Sequence, residues 1–159
     1  MGRFRCHRRG HFALVAPKAS EVFALLEFAD HSESLRVLAT VPLLKGISAQ
    51  GSRFTDKGLL YVKDMVQLTD FTIGINAPGD GDPRSTVPPF RKPITDEGLA
   101  HLKELENLTL LDLQETQITS QGLKNLEGLK NLKDLWLSGS GVTSTSEIQK
   151  ALPNCKIIN

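Results

Sequence analysis

The chain has 159 residues, 40% hydrophobic and 23% charged, enough for one domain with a buried core and unlike the composition of a disordered chain. No apolar run approaches the roughly 20 residues that cross a bilayer, so no membrane span is expected. The net charge of +1 is unevenly placed: residues 1–18 carry Arg3, Arg5, Arg8, Arg9 and Lys18 with no acid, and the remainder sets 14 basic against 18 acidic residues.

Residues 1–18 read as a basic, disordered N-terminal tail. Such a tail can touch nucleic acid or anionic lipid, but a solvated segment is the simpler reading, and no nucleic acid partner is expected. Its apolar stretch, Phe12 to Ala16, is shorter than a signal-peptide core and runs into Pro17. Cys6, His7 and His11 lack a second pair of ligands and are not read as a metal site. Residues 19–33 read as a capping helix, with Ser20 at its start and Val22, Leu25, Leu26 and Ala29 on one face.

From residue 34 onward the chain repeats itself. Ile94-Thr-Asp-Glu-Gly-Leu is followed by Leu102, Leu105, Leu108, Leu111 and Leu113. A step of 24 residues finds Ile118-Thr-Ser-Gln-Gly-Leu, then Leu126, Leu129, Leu132, Leu135 and Leu137. Upstream, Phe54-Thr-Asp-Lys-Gly-Leu precedes Val62, Met65, Leu68, Phe71 and Ile73, and a weaker copy holds Leu35, Leu38, Val41, Leu44, Ile47 and Ala49. Downstream, Val142-Thr143 opens a shortened copy in which Leu152, Cys155 and Ile157 fall in the slots of Leu132, Leu135 and Leu137. Between Phe71 and Leu111 the step is 40, so one repeat carries a 16-residue insertion, read as a loop over 77–93. Asp80 and Asp82 in it resemble the start of a calcium loop without the later ligands, and Pro88 to Pro93 can adopt a polyproline conformation; a surface loop is the simpler reading of both.

Alternation in Leu-x-Leu directs Leu111 and Leu113, or Leu135 and Leu137, to one side of a short strand. Apolar residues three apart after each Thr-Asp-x-Gly direct a short helix, with a 3₁₀ turn at its end, to the other side. Thr95 or Asp96 can cap that helix. One coil cannot bury its own leucines, whereas stacked coils bury a continuous column. Strands are predicted near 47–49, 70–74, 110–114, 134–138 and 154–158.

These stretches resemble the leucine-rich-repeat family, in its bacterial and F-box-associated type, whose repeats read Leu-x-x-Leu-x-Leu-x-x-Thr-x-Ile-Thr-Asp-x-Gly-Leu. The resemblance is carried by 54–76 and 94–157, more weakly by 34–53, and not by 1–18. It implies an α/β leucine-rich-repeat solenoid over 34–159, about five coils, with short parallel strands on the concave face and short helices on the convex face. Where the family commonly has Asn or Cys after the strand, this chain has Ser52, Asn76, Thr116 and Ser140, read as residues that satisfy the turn backbone. Residues 20–41 also resemble an F-box, but the repeat register already explains the later leucines and a Leu-Pro start is missing.

No catalytic constellation is present in the sequence. His7, His11, His31 and His101 lie outside any His-Glu-x-x-His motif, and there is no phosphate-binding Gly-x-x-x-x-Gly-Lys. No enzyme activity, metal or cofactor is expected. Cys155 reads as a small buried hydrophobe. Function therefore falls to the concave face. Alternation predicts a central row of Ser48, Thr72, Asp112, Trp136 and Lys156. It predicts flanking rows of Gly46, Asp70, Leu110, Asp134 and Asn154, and of Gln50, Gly74, Gln114, Ser138 and Ile158. The binding candidates are Asp70, Thr72, Asp112, Gln114, Asp134, Trp136 and Lys156: an acidic patch around the only tryptophan. Trp136 either anchors a partner or covers its neighbours with Lys156 stacked upon it. The expected function is a non-enzymatic, monomeric, cytoplasmic module binding a protein or peptide, the alternative being a structural or adaptor piece of a larger repeat assembly.

Overall fold

The structure, a computed structural model, describes residues 4–5, 11–18, 21–27, 35–36, 38–49, 55–73 and 94–159. The insertion at 77–93, with Asp80, Asp82 and the Pro88–Pro93 segment, lies outside the described residues, as do Gln50, Ser52, Gly74 and Asn76.

Among the described residues, eight strands form one sheet in chain order. They are β1 (Phe4–Arg5), β2 (His11–Lys18), β3 (Glu21–Glu27), β4 (Leu44–Ser48), β5 (Asp70–Thr72), β6 (Leu110–Asp112), β7 (Asp134–Trp136) and β8 (Lys156–Ile158). From β3 to β8 all neighbours are parallel, and β1, β2 and β3 pair antiparallel. Between the parallel strands lie α1 (Asp56–Val62), α2 (Asp96–Leu99), a 3₁₀ helix (Gly122–Leu126) and α3 (Ser146–Ala151). Among the described residues no helix is long and apolar enough to cross a membrane.

The N-terminal expectations need correction. Residues 11–18 form a strand where a disordered tail is predicted, and 21–27 form a strand where the sequence predicts a helix. The reason is the edge of β4, which without a neighbour would present a row of unpaired N–H and C=O groups. Phe23, Ala24 and Leu25 of β3 pair with Gly46, Ile47 and Ser48, and β2 pairs with β3 in turn. Pairing of this kind outweighs a local helical pattern.

The three-residue spacing of leucines has a direct backbone consequence. Leu102 N donates to Leu99 O, Leu105 N to Leu102 O and Leu108 N to Leu105 O, at 2.9–3.0 Å. Each apolar residue thus sits one tight turn after the last, at three residues per turn, so all face the same side. Leu99, Leu102, Leu105, Leu108, Leu111 and Leu113 are each fully buried. The same turns recur as Leu129 N to Leu126 O, Leu132 N to Leu129 O and Cys155 N to Leu152 O.

The repeated Thr-Asp-x-Gly is a clamp between coils. Asp56 accepts Thr95 N–H at 2.8 Å through Oδ1 and the Thr95 hydroxyl at 2.7 Å through Oδ2. Asp96 takes Thr119 in the same way, at 2.8 and 2.6 Å. The glycine of the next coil leaves room for this reach: a Cβ on Gly98 would come within 2.2 Å of Asp56 Oδ1, and one on Gly122 within 2.0 Å of Asp96 Oδ1. The threonine also caps its own helical turn, Thr95 Oγ1 accepting Glu97 N–H at 3.3 Å and Thr119 Oγ1 accepting Gln121 N–H at 3.2 Å. A second ladder runs through the asparagines before Leu108 and Leu132. Asn107 Nδ2 donates to Val66 O at 2.8 Å and Asn131 Nδ2 to Glu106 O at 2.9 Å.

Candidate binding surface on the strand face

Register fixes which side chains are neighbours on the open face. Ser48, Thr72, Asp112, Trp136 and Ile158 stand opposite one another across β4 to β8. One repeated bond marks this row: Ala49 N to Thr72 O, Ile73 N to Asp112 O, Leu113 N to Trp136 O and Leu137 N to Ile158 O, at 2.7–3.1 Å. The adjoining row is Gly46, Asp70, Leu110, Asp134 and Lys156.

Four of the five central positions are those expected from the sequence, and the fifth is not. Ile158, not Lys156, stands beside Trp136, while Lys156 faces Asp134. The step from Leu135 to Ile157 is 22 residues, so this coil is two residues short, not four. Asn154 carries the explanation. It precedes Cys155 as Asn131 precedes Leu132, which puts Cys155 in the slot of Leu132 and Ile157 in that of Leu135.

Asp112 also differs from expectation. Alternation places it on the open side, yet it is only 4% exposed. Its Oδ1 accepts the Gln114 N–H at 3.0 Å, so this carboxylate holds the turn that leaves β6 and is not offered to solvent. Asp70 is half-buried, and its Oδ2 accepts the Thr69 hydroxyl at 2.6 Å. Thr72, Gln114 and Asp134 are partly exposed and Lys156 is exposed. Trp136 is 37% exposed. With partly exposed Leu110 and Ile158 it makes the strand face apolar toward β8, whereas Ser48 and Thr72 keep it polar toward β4.

The turns after the strands are built alike. Glu115 has φ 58° and Gly139, 24 residues on, has φ 74°. Glu115 carries its carboxylate over Gly139, where a Cβ would lie within 2.2 Å of it. Thr116 is buried and donates its hydroxyl to Leu113 O at 2.7 Å; Ser140 Oγ accepts Val142 N–H at 3.3 Å. Among the described residues every buried side-chain nitrogen and oxygen has a hydrogen-bond partner, and no three metal-binding side chains converge. Cys155 is buried beneath β7 and β8. Burial, and secondarily the charge of Asp134, pushes its thiol up to about 11.

No protein-family model matches the chain, and no curated protein matches it. Among solved structures it is similar to a leucine-rich-repeat protein of Leptospira interrogans, at 22% identity and a TM-score of 0.50, over 78% of this chain and 27% of that one. It is also similar to an internalin of Listeria monocytogenes, at 17% identity and a TM-score of 0.40, over 77% of this chain and 43% of that one. The chain therefore spans well under two thirds of either structure's length. The likeness to the Leptospira protein agrees with the stacked coils, the parallel strand ladder and the helices opposite it: the fold of this chain is an α/β leucine-rich-repeat solenoid.

Proposed function

We propose that this chain is a non-enzymatic binding module that takes a protein or peptide partner on its strand face, with Trp136 as the anchor. The observation that carries the reading is a single indole, 37% exposed, in the central row of a strand face on which its apolar neighbours Leu110 and Ile158 are only partly exposed. An indole offers a large contact area with few rotatable bonds, so docking against it costs little side-chain entropy. Ile158 beside it and Leu110 diagonal to it extend the apolar ground.

Charge around the indole suggests what lies against it. Asp134 and Asp70 share the flanking row and Glu115 lies just beyond the central one, and across β4 to β8 Lys156 is the one base in these two rows. A partner segment with an apolar side chain next to Lys or Arg fits this surface, and its charge would speed its approach. Asp112 contributes by fixing the turn beneath the surface. The repeats are of the bacterial and F-box-associated type on the strength of Ile-Thr-Asp-x-Gly-Leu, and the module acts as a monomer.

The test is paired capture. Wild type and Trp136→Ala, each immobilised, are exposed to the same source lysate. A protein retained by the first and lost from the second supports the reading; identical retention by both removes Trp136 from it.

A further inference from the structure

The joints between coils are not made alike. Asp56 and Asp96 clamp the next coil with a carboxylate, but one step on the acceptor is Ser120. Its Oγ accepts the N–H groups of Thr143 and Ser144, each at 3.0 Å, and lies 3.3 Å from Thr143 Oγ1. The following glycine has changed too, because Ser146 stands 24 residues after Gly122, where Gly98 and Gly122 stand in their coils.

These two changes belong together. A carboxylate in the acceptor slot needs the space that a Cβ in the glycine slot would take, as the 2.2 and 2.0 Å approaches at Gly98 and Gly122 show. A serine is one atom shorter and leaves that space to Ser146. The exchange also weakens the joint, since hydrogen bonds to a charged acceptor are about twice as strong as neutral ones. Two independent features lie along the same seam. A groove of about 310 Å³ runs between the 3₁₀ helix and α3, bordered by Leu123, Lys124, Glu127 and Glu147. Lys124 and Glu147 bridge it with an exposed ion pair at 3.8 Å, a kind of contact that holds little.

We propose that this seam is a built-in release joint, at which α3 and β8 open as a unit while β4 to β7 stay folded. Opening carries Lys156 and Ile158 away from Asp134 and Trp136 and bares the edge of β7. A ligand on the strand face would then hold the joint closed; this consequence rests on the binding reading above, while the joint itself does not.

Hydrogen exchange of the full chain, read by mass spectrometry, tests the joint without any partner. In the wild type, amides of 142–158 exchange at least about tenfold faster than those of 110–137. Ordinary end fraying gives the same result, so the deciding comparison is a cycle of variants. In the presence of Ser146, Ser120→Asp should speed exchange over 142–158 or prevent folding, because the carboxylate meets the Ser146 Cβ. In the Ser146→Gly background the same Ser120→Asp should slow exchange over 142–158 about tenfold, because a carboxylate clamp is restored. Opposite signs in the two backgrounds support the proposal. The same sign in both, a double variant that fails to fold, or a wild type whose 142–158 amides exchange in step with 110–137 overturns it. None of these outcomes involves Trp136, so the binding reading stands or falls separately.

Discussion

Asp56 and Thr95 are 39 residues apart in sequence and joined by two hydrogen bonds, one from the threonine backbone at 2.8 Å and one from its hydroxyl at 2.7 Å. The pair shows what the Thr-Asp-x-Gly motif is for. The aspartate serves the coil after its own, the threonine is what it grips, and the glycine keeps the path clear. Three residues that look like a local turn signal are thus the fastening between neighbouring turns of the solenoid.

Replacing Gly98 with Ala tests this fastening. The added Cβ would fall within 2.2 Å of Asp56 Oδ1, so the carboxylate must leave or the coils must part. Loss of a two-bond charged clamp at a half-buried site costs about 2 kcal/mol. Urea denaturation should show that loss. A change within about 0.5 kcal/mol, typical of neutral surface substitutions, would mean the clamp contributes little.

Glu115 and Gly139 make the opposite kind of pair. Both occupy the left-handed region, at φ 58° and 74°, but only the glycine does so without a Cβ penalty. That penalty is about 1 kcal/mol, and a more flexible unfolded chain offsets part of the relief. Glu115→Gly should therefore raise stability by about 0.5 kcal/mol. Gly139→Ala should lower it by about 1 kcal/mol or more, since its Cβ would also meet the Glu115 carboxylate. Destabilisation by Glu115→Gly would show that the carboxylate holds something the strain is needed for.

Cys155 gives a pH signature. Its thiol is raised from 9.0 to about 11, so at pH 9 about a hundredth of it is thiolate, roughly a fiftieth of the level in an unfolded chain, where the thiol is about half-ionised. In a Cys6→Ser background, iodoacetamide should label the folded protein far more slowly than the urea-unfolded one at pH 9. Because the folded value is the higher, the unfolded chain releases the proton first. The stability that Cys155 contributes is complete below pH 9 and falls as pH rises toward 11. Cys155→Ala should remove that part of the slope. Equal labelling rates folded and unfolded would place the thiol at the surface.

Much of this architecture is legible in the sequence. Leu111 and Leu135, 24 residues apart, announce the coil, and alternation about them places Thr72 and Trp136 on the open face. Three features were not legible, each for a physical reason. The β8 register depends on whether Asn154 or Leu152 is taken as the landmark, and two leucine-like residues three apart fit either choice. Asp112 shows that alternation gives a side chain's direction but not its depth, because a turn donor two residues on can draw a carboxylate in. Residues 21–27 carry a helical apolar pattern, yet an open strand edge supplies backbone partners that a helix would leave unused.

If the strand face binds through Trp136, the indole should carry most of the affinity. The direct measurement is calorimetric titration of a captured partner, purified, into wild type, Trp136→Ala, Lys124→Ala and Glu127→Ala. Lys124 and Glu127 lie in and just after the 3₁₀ helix, across the solenoid from the strands. Trp136→Ala should weaken binding about thirtyfold, or about 2 kcal/mol, with its unfolding midpoint nearly unchanged, and the two helix-side variants should bind as wild type does. Full affinity in Trp136→Ala together with loss in Lys124→Ala or Glu127→Ala would contradict it and move the binding surface to the helical side.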